Sequence, residues 1–216
     1  MSHEASTLPT LGTGPAAQQS AAASIVTVDD VFPEATRREV HAFLKGGGWV
    51  FGWKSNQKAD PFCFWHRHFA GNIHPDHLAR EGKGQQYDCA AELGECVPLL
   101  HRLWLDLARS ALAGHRLVRC YANGHPFGSE GSVHTDSVSP LSFTSVYYPH
   151  DAWHPNWGGE TVFFTGDKSD IVAAVYPKPG RLLVFPGTIP HAARGVTRVC
   201  PEMRITLMFK TEREQA

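Results

Sequence analysis

An excess of charge of either sign is missing from this sequence: 20 Lys and Arg stand against 21 Asp and Glu, a formal net charge of −1. A broad nucleic-acid or anionic-membrane surface needs a basic excess, so neither partner is expected. No apolar run approaches the roughly 20 residues of a membrane span. The first residues lack the basic-then-apolar pattern of a secretory signal. Cysteine is scarce, with Cys63, Cys89, Cys96, Cys120 and Cys200 forming an odd set without a CxxC pair. They read as free, partly buried thiols in a reducing cytosol, so the expected localisation is cytoplasmic.

Large apolar residues are almost absent from Met1 to Ala23, a stretch of Ser, Thr, Ala, Gly, Pro and Gln. Such a segment buries too little surface to offset its ordering entropy, and a flexible tail is expected over 1–23. The remainder carries the 42% hydrophobic and 19% charged composition of an ordinary globular domain. A short strand is expected at Ile25–Val28 and a helix from Pro33 to Leu44, stopped by Gly46-Gly47-Gly48. Trp49 to Phe69 is dense in aromatics, read as core packing with some residues walling a pocket. His66-Arg67-His68 alternates histidines without a third ligand at sensible spacing, which favours packing or substrate contact over metal. Leu99, Leu100, Leu103, Trp104, Leu107 and Ala111 recur at three- and four-residue steps, predicting a helix from Cys96 to Ala113.

From Leu117 the period changes. Strands are expected at 117–122, 132–136, 142–149, 160–165, 171–176, 181–185, 191–196 and 204–210, with turn signals such as Asn123-Gly124 between them. Eight short strands after two helices predict a mainly β fold with flanking helices and a double-stranded β-helix core, a cupin-like jelly roll. The expected organisation is a tail over 1–23, helices and aromatic segment over 24–116, and the β core over 117–212. His134 and Asp136 lie two apart in HTD and would share one strand face. His191 in GTIPHAARGVTR, 57 positions after His134, is the best candidate for a third ligand on a neighbouring strand. Two histidines and a carboxylate on one face of a metal suit non-haem Fe(II) with open positions opposite.

Taken together, YANG, HTD, a hydrophobic strand ending in YY, WGGET, KPGRLLVFPG, HAARGVTR and RITLMFK come in an order that resembles the Fe(II)/2-oxoglutarate-dependent dioxygenases, in their prolyl-4-hydroxylase-like branch. The similarity runs over about Cys120 to Lys210. The resemblance implies that His134, Asp136 and His191 hold Fe(II) and that Arg204, with Thr206, pairs with the distal carboxylate of 2-oxoglutarate. It places Tyr121 and Asn123 beside that co-substrate, and Tyr121 reads equally as a core tyrosine with a hydrogen-bonded tip. O2 would be the other co-substrate, with ascorbate as a candidate reductant, and the implied products are succinate, CO2 and a hydroxylated substrate. Arg204 lies 13 positions after His191, farther than is usual in the family. Val199 to Glu202 reads as a lengthened turn, and Arg198 competes for the role. Arg204 is preferred because an unpaired arginine inside an apolar strand would be costly.

Substrate contacts are assigned to Arg194, Trp65, His66 and Trp157, and Tyr147–Gly159 reads either as a lid or as a surface hairpin. His125, His150 and His154 read as solvated loop residues. The favoured substrate is a small molecule or an amino acid. A prolyl-type hydroxylase acting on a protein and a non-catalytic metal-binding jelly roll are the alternatives, and the oligomeric state is left open.

Overall fold

The computed structural model describes residues 22–55, 60–71 and 87–214; the tail expected at 1–23 falls almost wholly outside them. A seven-stranded antiparallel sheet runs in the order β1-β8-β5-β10-β4-β3-β2, and a three-stranded sheet runs β7-β6-β9. The strands are β1 (Val26–Val28), β2 (Val50–Trp53), β3 (Phe64–Gly71), β4 (His115–His125), β5 (Ser142–Tyr147), β6 (Thr161–Phe164), β7 (Ile171–Val175), β8 (Leu182–Pro186), β9 (His191–Ala193) and β10 (Arg204–Arg213). The helices are α1 (Glu34–Lys45), α2 (Cys89–Cys96) and α3 (Pro98–Ala108). This is the expected double-stranded β-helix with flanking helices. No helix among the described residues is long and apolar enough to cross a membrane.

Side-chain alternation along β10 fixes what each side of the large sheet covers. Ile205, Leu207 and Phe209 join Val40 and Leu44 of α1, Leu93 of α2 and Leu100, Leu103, Trp104 and Leu107 of α3 in one apolar core. Met208, on the opposite side of the strand, packs with Tyr121, Tyr148, Phe163 and Phe185 between the sheets. Arg204, Thr206 and Lys210 share that inner side and are buried. The helices therefore back the sheet and the chemistry faces inward.

Several local expectations are corrected. The helix expected at Cys96–Ala113 is the shorter α3, Pro98–Ala108, and α2 ahead of it was not expected; the two meet at Val97, whose non-helical backbone (φ −143°, ψ 77°) follows from the bias a proline imposes on the residue before it. Asp88 starts α2 by accepting from the amides of Ala90 and Ala91. Asn123-Gly124 is no turn. β4 continues to His125, and a Cβ on Gly124 would come within 2.5 Å of the Met203 sulfur, so this glycine permits close packing. The expected strand at 132–136 contributes a single bridge, His134 to His191. The aromatic stretch supplies β2 and β3, and with β1 the region before Leu117 contributes three strands to the large sheet.

Candidate metal centre and co-substrate cleft

That bridge builds the centre. The amide of His134 donates to the His191 carbonyl at 3.0 Å, and the amide of His191 returns the bond at 2.9 Å. Asp136 is fixed by its amide donating to the Gly187 carbonyl at 2.8 Å. The imidazole rings then face one another, centroids 4.5 Å apart. Nδ1 of His134 donates to the Ser132 carbonyl at 2.8 Å, and Nδ1 of His191 to the Ile189 carbonyl at 2.9 Å. With both hydrogens so placed, both Nε2 atoms carry lone pairs, and both point to Asp136: 3.5 Å from His134 to Oδ1, and 3.3 Å from His191 to Oδ2. Donor atoms of all three residues lie within 4.8 Å of one another. Carbonyl-oriented imidazoles and one carboxylate suit a divalent first-row metal.

Burial alone would push the Asp136 carboxyl up, but Lys210 and the two imidazoles hold it well below the usual carboxylate range. Burial lowers His191 against the pull of Asp136. Both tendencies favour the forms that bind a metal, carboxylate and neutral imidazole.

The three donors open onto a cleft of about 620 Å³, counting its mouth, that Arg204, Thr206, Tyr121 and Asn123 also line. Arg204 is 1% exposed. Its Nε donates to the Gly159 carbonyl at 2.5 Å and one terminal nitrogen to Thr161 Oγ1 at 3.0 Å. Thr161 in turn shares a hydrogen bond with the Tyr148 hydroxyl at 2.8 Å. A guanidinium braced in this way presents a fixed fork to a carboxylate. Arg198, its competitor, is exposed and is not among the residues that line the cleft.

Residues 117–209 match the family model described as the 2OG-Fe(II) oxygenase superfamily. They belong to that superfamily. No curated protein sequence matches the chain. Among solved structures, a Pseudomonas putida prolyl-4-hydroxylase superposes with TM-score 0.57 at 17% identity, over 91% of this chain and 99% of that one. A prolyl hydroxylase from Trichoplax adhaerens, in complex with a hypoxia inducible factor peptide fragment, gives 0.53 at 14% identity, over 91% and 89%. HygX from Streptomyces hygroscopicus, with nickel and 2-oxoglutarate bound, gives 0.56 at 14% identity, over 88% and 82%. At these identities the likeness is one of fold.

The rest of the cleft lining differs from the sequence expectation. Trp53, Lys54, Phe64 and Arg119 line it, whereas Trp65, His66, Trp157 and Arg194 are not among its lining residues. Trp65 packs on Phe51, Trp157 on Trp153, and the Arg194 guanidinium lies over the Phe164 ring. His66 is buried behind the cleft wall, stacked on Trp53 with centroids 4.0 Å apart, and its Nδ1 meets Asn123 Oδ1 at 2.9 Å. Tyr147–Gly159 is tied down by several bonds. Trp153 Nε1 donates to the Gly158 carbonyl at 2.9 Å, and the Tyr176 hydroxyl donates to the Trp153 carbonyl at 2.6 Å.

Of the three histidines read as solvated, only His154 is exposed; His125 and His150 are buried at 2% and 0% exposure. His125 ends β4 against Phe64, and His150 accepts from the Ile205 amide at 2.9 Å. With His41 and Glu202, His150 forms a second cluster of two histidines and a carboxylate. Its Nε2 accepts a hydrogen, so its own hydrogen rides on Nδ1 and points at Glu202, 3.3 Å away. That nitrogen has no lone pair to give, and the cluster is a polar brace on β10 at Ile205.

Sequence reasoning also passed over Asp60, Thr144 and Lys210. Asp60 is 3% exposed; it accepts from Ser132 Oγ at 2.6 Å and from the amides of Ser55 and Phe62 at 3.2 and 2.9 Å. It pins the approach to His134. A charged residue between aromatics and small polar residues was the only available signal.

Proposed function

We propose that the protein is an Fe(II)- and 2-oxoglutarate-dependent hydroxylase of a small molecule or an amino acid, releasing succinate and CO2. The observation that carries this reading is the convergence of His134, Asp136 and His191 in the same cleft as the buried Arg204. The two Nε2 atoms and Asp136 would hold the metal. Arg204, with Thr206 beside it, would anchor the distal carboxylate of 2-oxoglutarate, and Tyr121 and Asn123 would flank its chain. Bound iron supplies activation of O2, coupled to decarboxylation of the keto acid, for oxygen insertion into a substrate C–H bond. The protein's part is to fix the carboxylate end of the co-substrate, to orient both imidazoles through the Ser132 and Ile189 carbonyls, and to wall the reaction with Trp53, Phe64 and Met208.

The compact, aromatic-walled substrate side favours a small substrate. All five cysteines are free thiols, which supports a cytoplasmic setting. Purified protein with Fe(II), ascorbate and 2-oxoglutarate should release succinate, and His134→Ala should abolish it; release that is absent from the wild type, or unchanged in the variant, would refute the reading. A search for a mass gain of one oxygen on metabolites and on peptides then separates a small-molecule hydroxylase from a protein hydroxylase.

A further inference from the structure

Lys210 is a lysine where burial makes lysine expensive. It is 8% exposed, on the inner side of β10, where an ammonium must be paired and hydrogen-bonded to persist. β10 and β5 pair with Lys210 opposite Thr144, which is wholly buried. Lys210 Nζ donates to Thr144 Oγ1 at 2.8 Å, and Thr144 donates onward to Asp136 Oδ2 at 2.6 Å. The ammonium also pairs directly with that same oxygen. Oδ2 thus receives both partners and also lies 3.3 Å from Nε2 of His191, while Oδ1 lies 3.5 Å from Nε2 of His134 and has neither partner. No carboxylate other than Asp136 is within salt-bridge reach of Lys210 among the described residues.

Resting on the oxygenase reading, we propose that Lys210 is a positioning residue that, with Thr144, saturates Oδ2 of Asp136 so that Asp136 offers the metal one oxygen only. A carboxylate released from this clamp can turn both oxygens to the ion. The second oxygen would then take a position that 2-oxoglutarate needs, because that co-substrate binds through two atoms. Lys210 protects co-substrate binding more than metal binding. This separates it from a residue that merely keeps the strand folded.

The test measures two affinities: Mn(II) for the protein, by electron paramagnetic resonance, and 2-oxoglutarate for the Mn(II)-loaded protein, by calorimetry. Lys210→Met should hold Mn(II) within about threefold of wild type while losing about tenfold or more in 2-oxoglutarate affinity, the scale of one charge-assisted hydrogen bond. Lys210→Arg should recover most of that loss, and the Mn(II) spectrum of Lys210→Met should differ from that of wild type. Should Lys210→Met fail to fold, Thr144→Val decides: a selective loss of 2-oxoglutarate affinity supports the clamp, and unchanged affinity overturns it. Wild-type 2-oxoglutarate affinity in Lys210→Met, or a parallel fall in both affinities, also overturns the positioning role. If those results appear while the wild type binds Mn(II) and 2-oxoglutarate, only the role of Lys210 falls. A wild type that binds neither removes the oxygenase reading itself.

Discussion

Arg204 spends two of its donors on Gly159 and Thr161, which holds the guanidinium still before any co-substrate arrives. A lysine there keeps the charge but loses the planar fork. Arg204→Lys should therefore raise the KM for 2-oxoglutarate by about tenfold to a hundredfold, read as succinate release against co-substrate concentration; an unchanged KM would move the anchor elsewhere. His66 makes a pH prediction. Burial pushes it down to about 4, against about 6.5 in an unfolded chain, so the unfolded chain takes the proton first as pH falls. Stability from this group is whole above about pH 6.5, declines towards pH 4 and then levels. Burial lowers His125 and His150 as well, reinforcing the same trend. Urea midpoints should fall between pH 6.5 and 4, and His66→Gln should flatten part of that fall; pH-independent midpoints would contradict it. At this scale the HTD pair was legible because a two-residue spacing declares a shared face. Lys210, Thr144 and Asp60 were not, because their partners sit across strands or loops remote in sequence.

β10 was the most legible element, since Arg204 and Thr206 alternate with Ile205 and Leu207 and so name both of its sides. The helix α2 and the long run of β4 were not. The apolar stripe begins at Leu99 and gives no sign of a helix before Val97, and Asn-Gly reads as a turn until Met203 is seen pressed on Gly124. The segment that joins the 3₁₀ turn at Pro155–Trp157 to β6 carries its own test. Gly159 has φ +82°, and an added Cβ would lie 3.0 Å from Arg204 Cδ and 3.2 Å from Trp153. Gly159→Ala should destabilise the protein by about 1–3 kcal/mol in chemical denaturation and weaken 2-oxoglutarate binding through Arg204. Retention of both would mean that this close approach is relaxed in solution.

At the scale of the molecule, the jelly roll brings together pieces of chain that share no local signal. His134 and His191 meet through a single bridge, and β10 delivers Arg204 to the same chamber. The fold class was legible from strand count and spacing, and the meeting of the histidines was an expectation that topology alone allowed. Trp65 and His66 do not line the cleft whereas Trp53 and Phe64 do, because aromatic density does not tell which side of β2 or β3 faces inward. Ligands that bind only the folded chain stabilise it by mass action, so Mn(II) with 2-oxoglutarate should raise the melting temperature more than either alone.

The most direct test is a Mn(II) titration of wild type, His134→Ala and His191→Ala, read by electron paramagnetic resonance. One bound ion per wild-type chain, lost in both variants, is the expected result; wild-type protein without a bound ion, or a His191→Ala variant that binds as wild type does, would contradict a centre built from these three side chains.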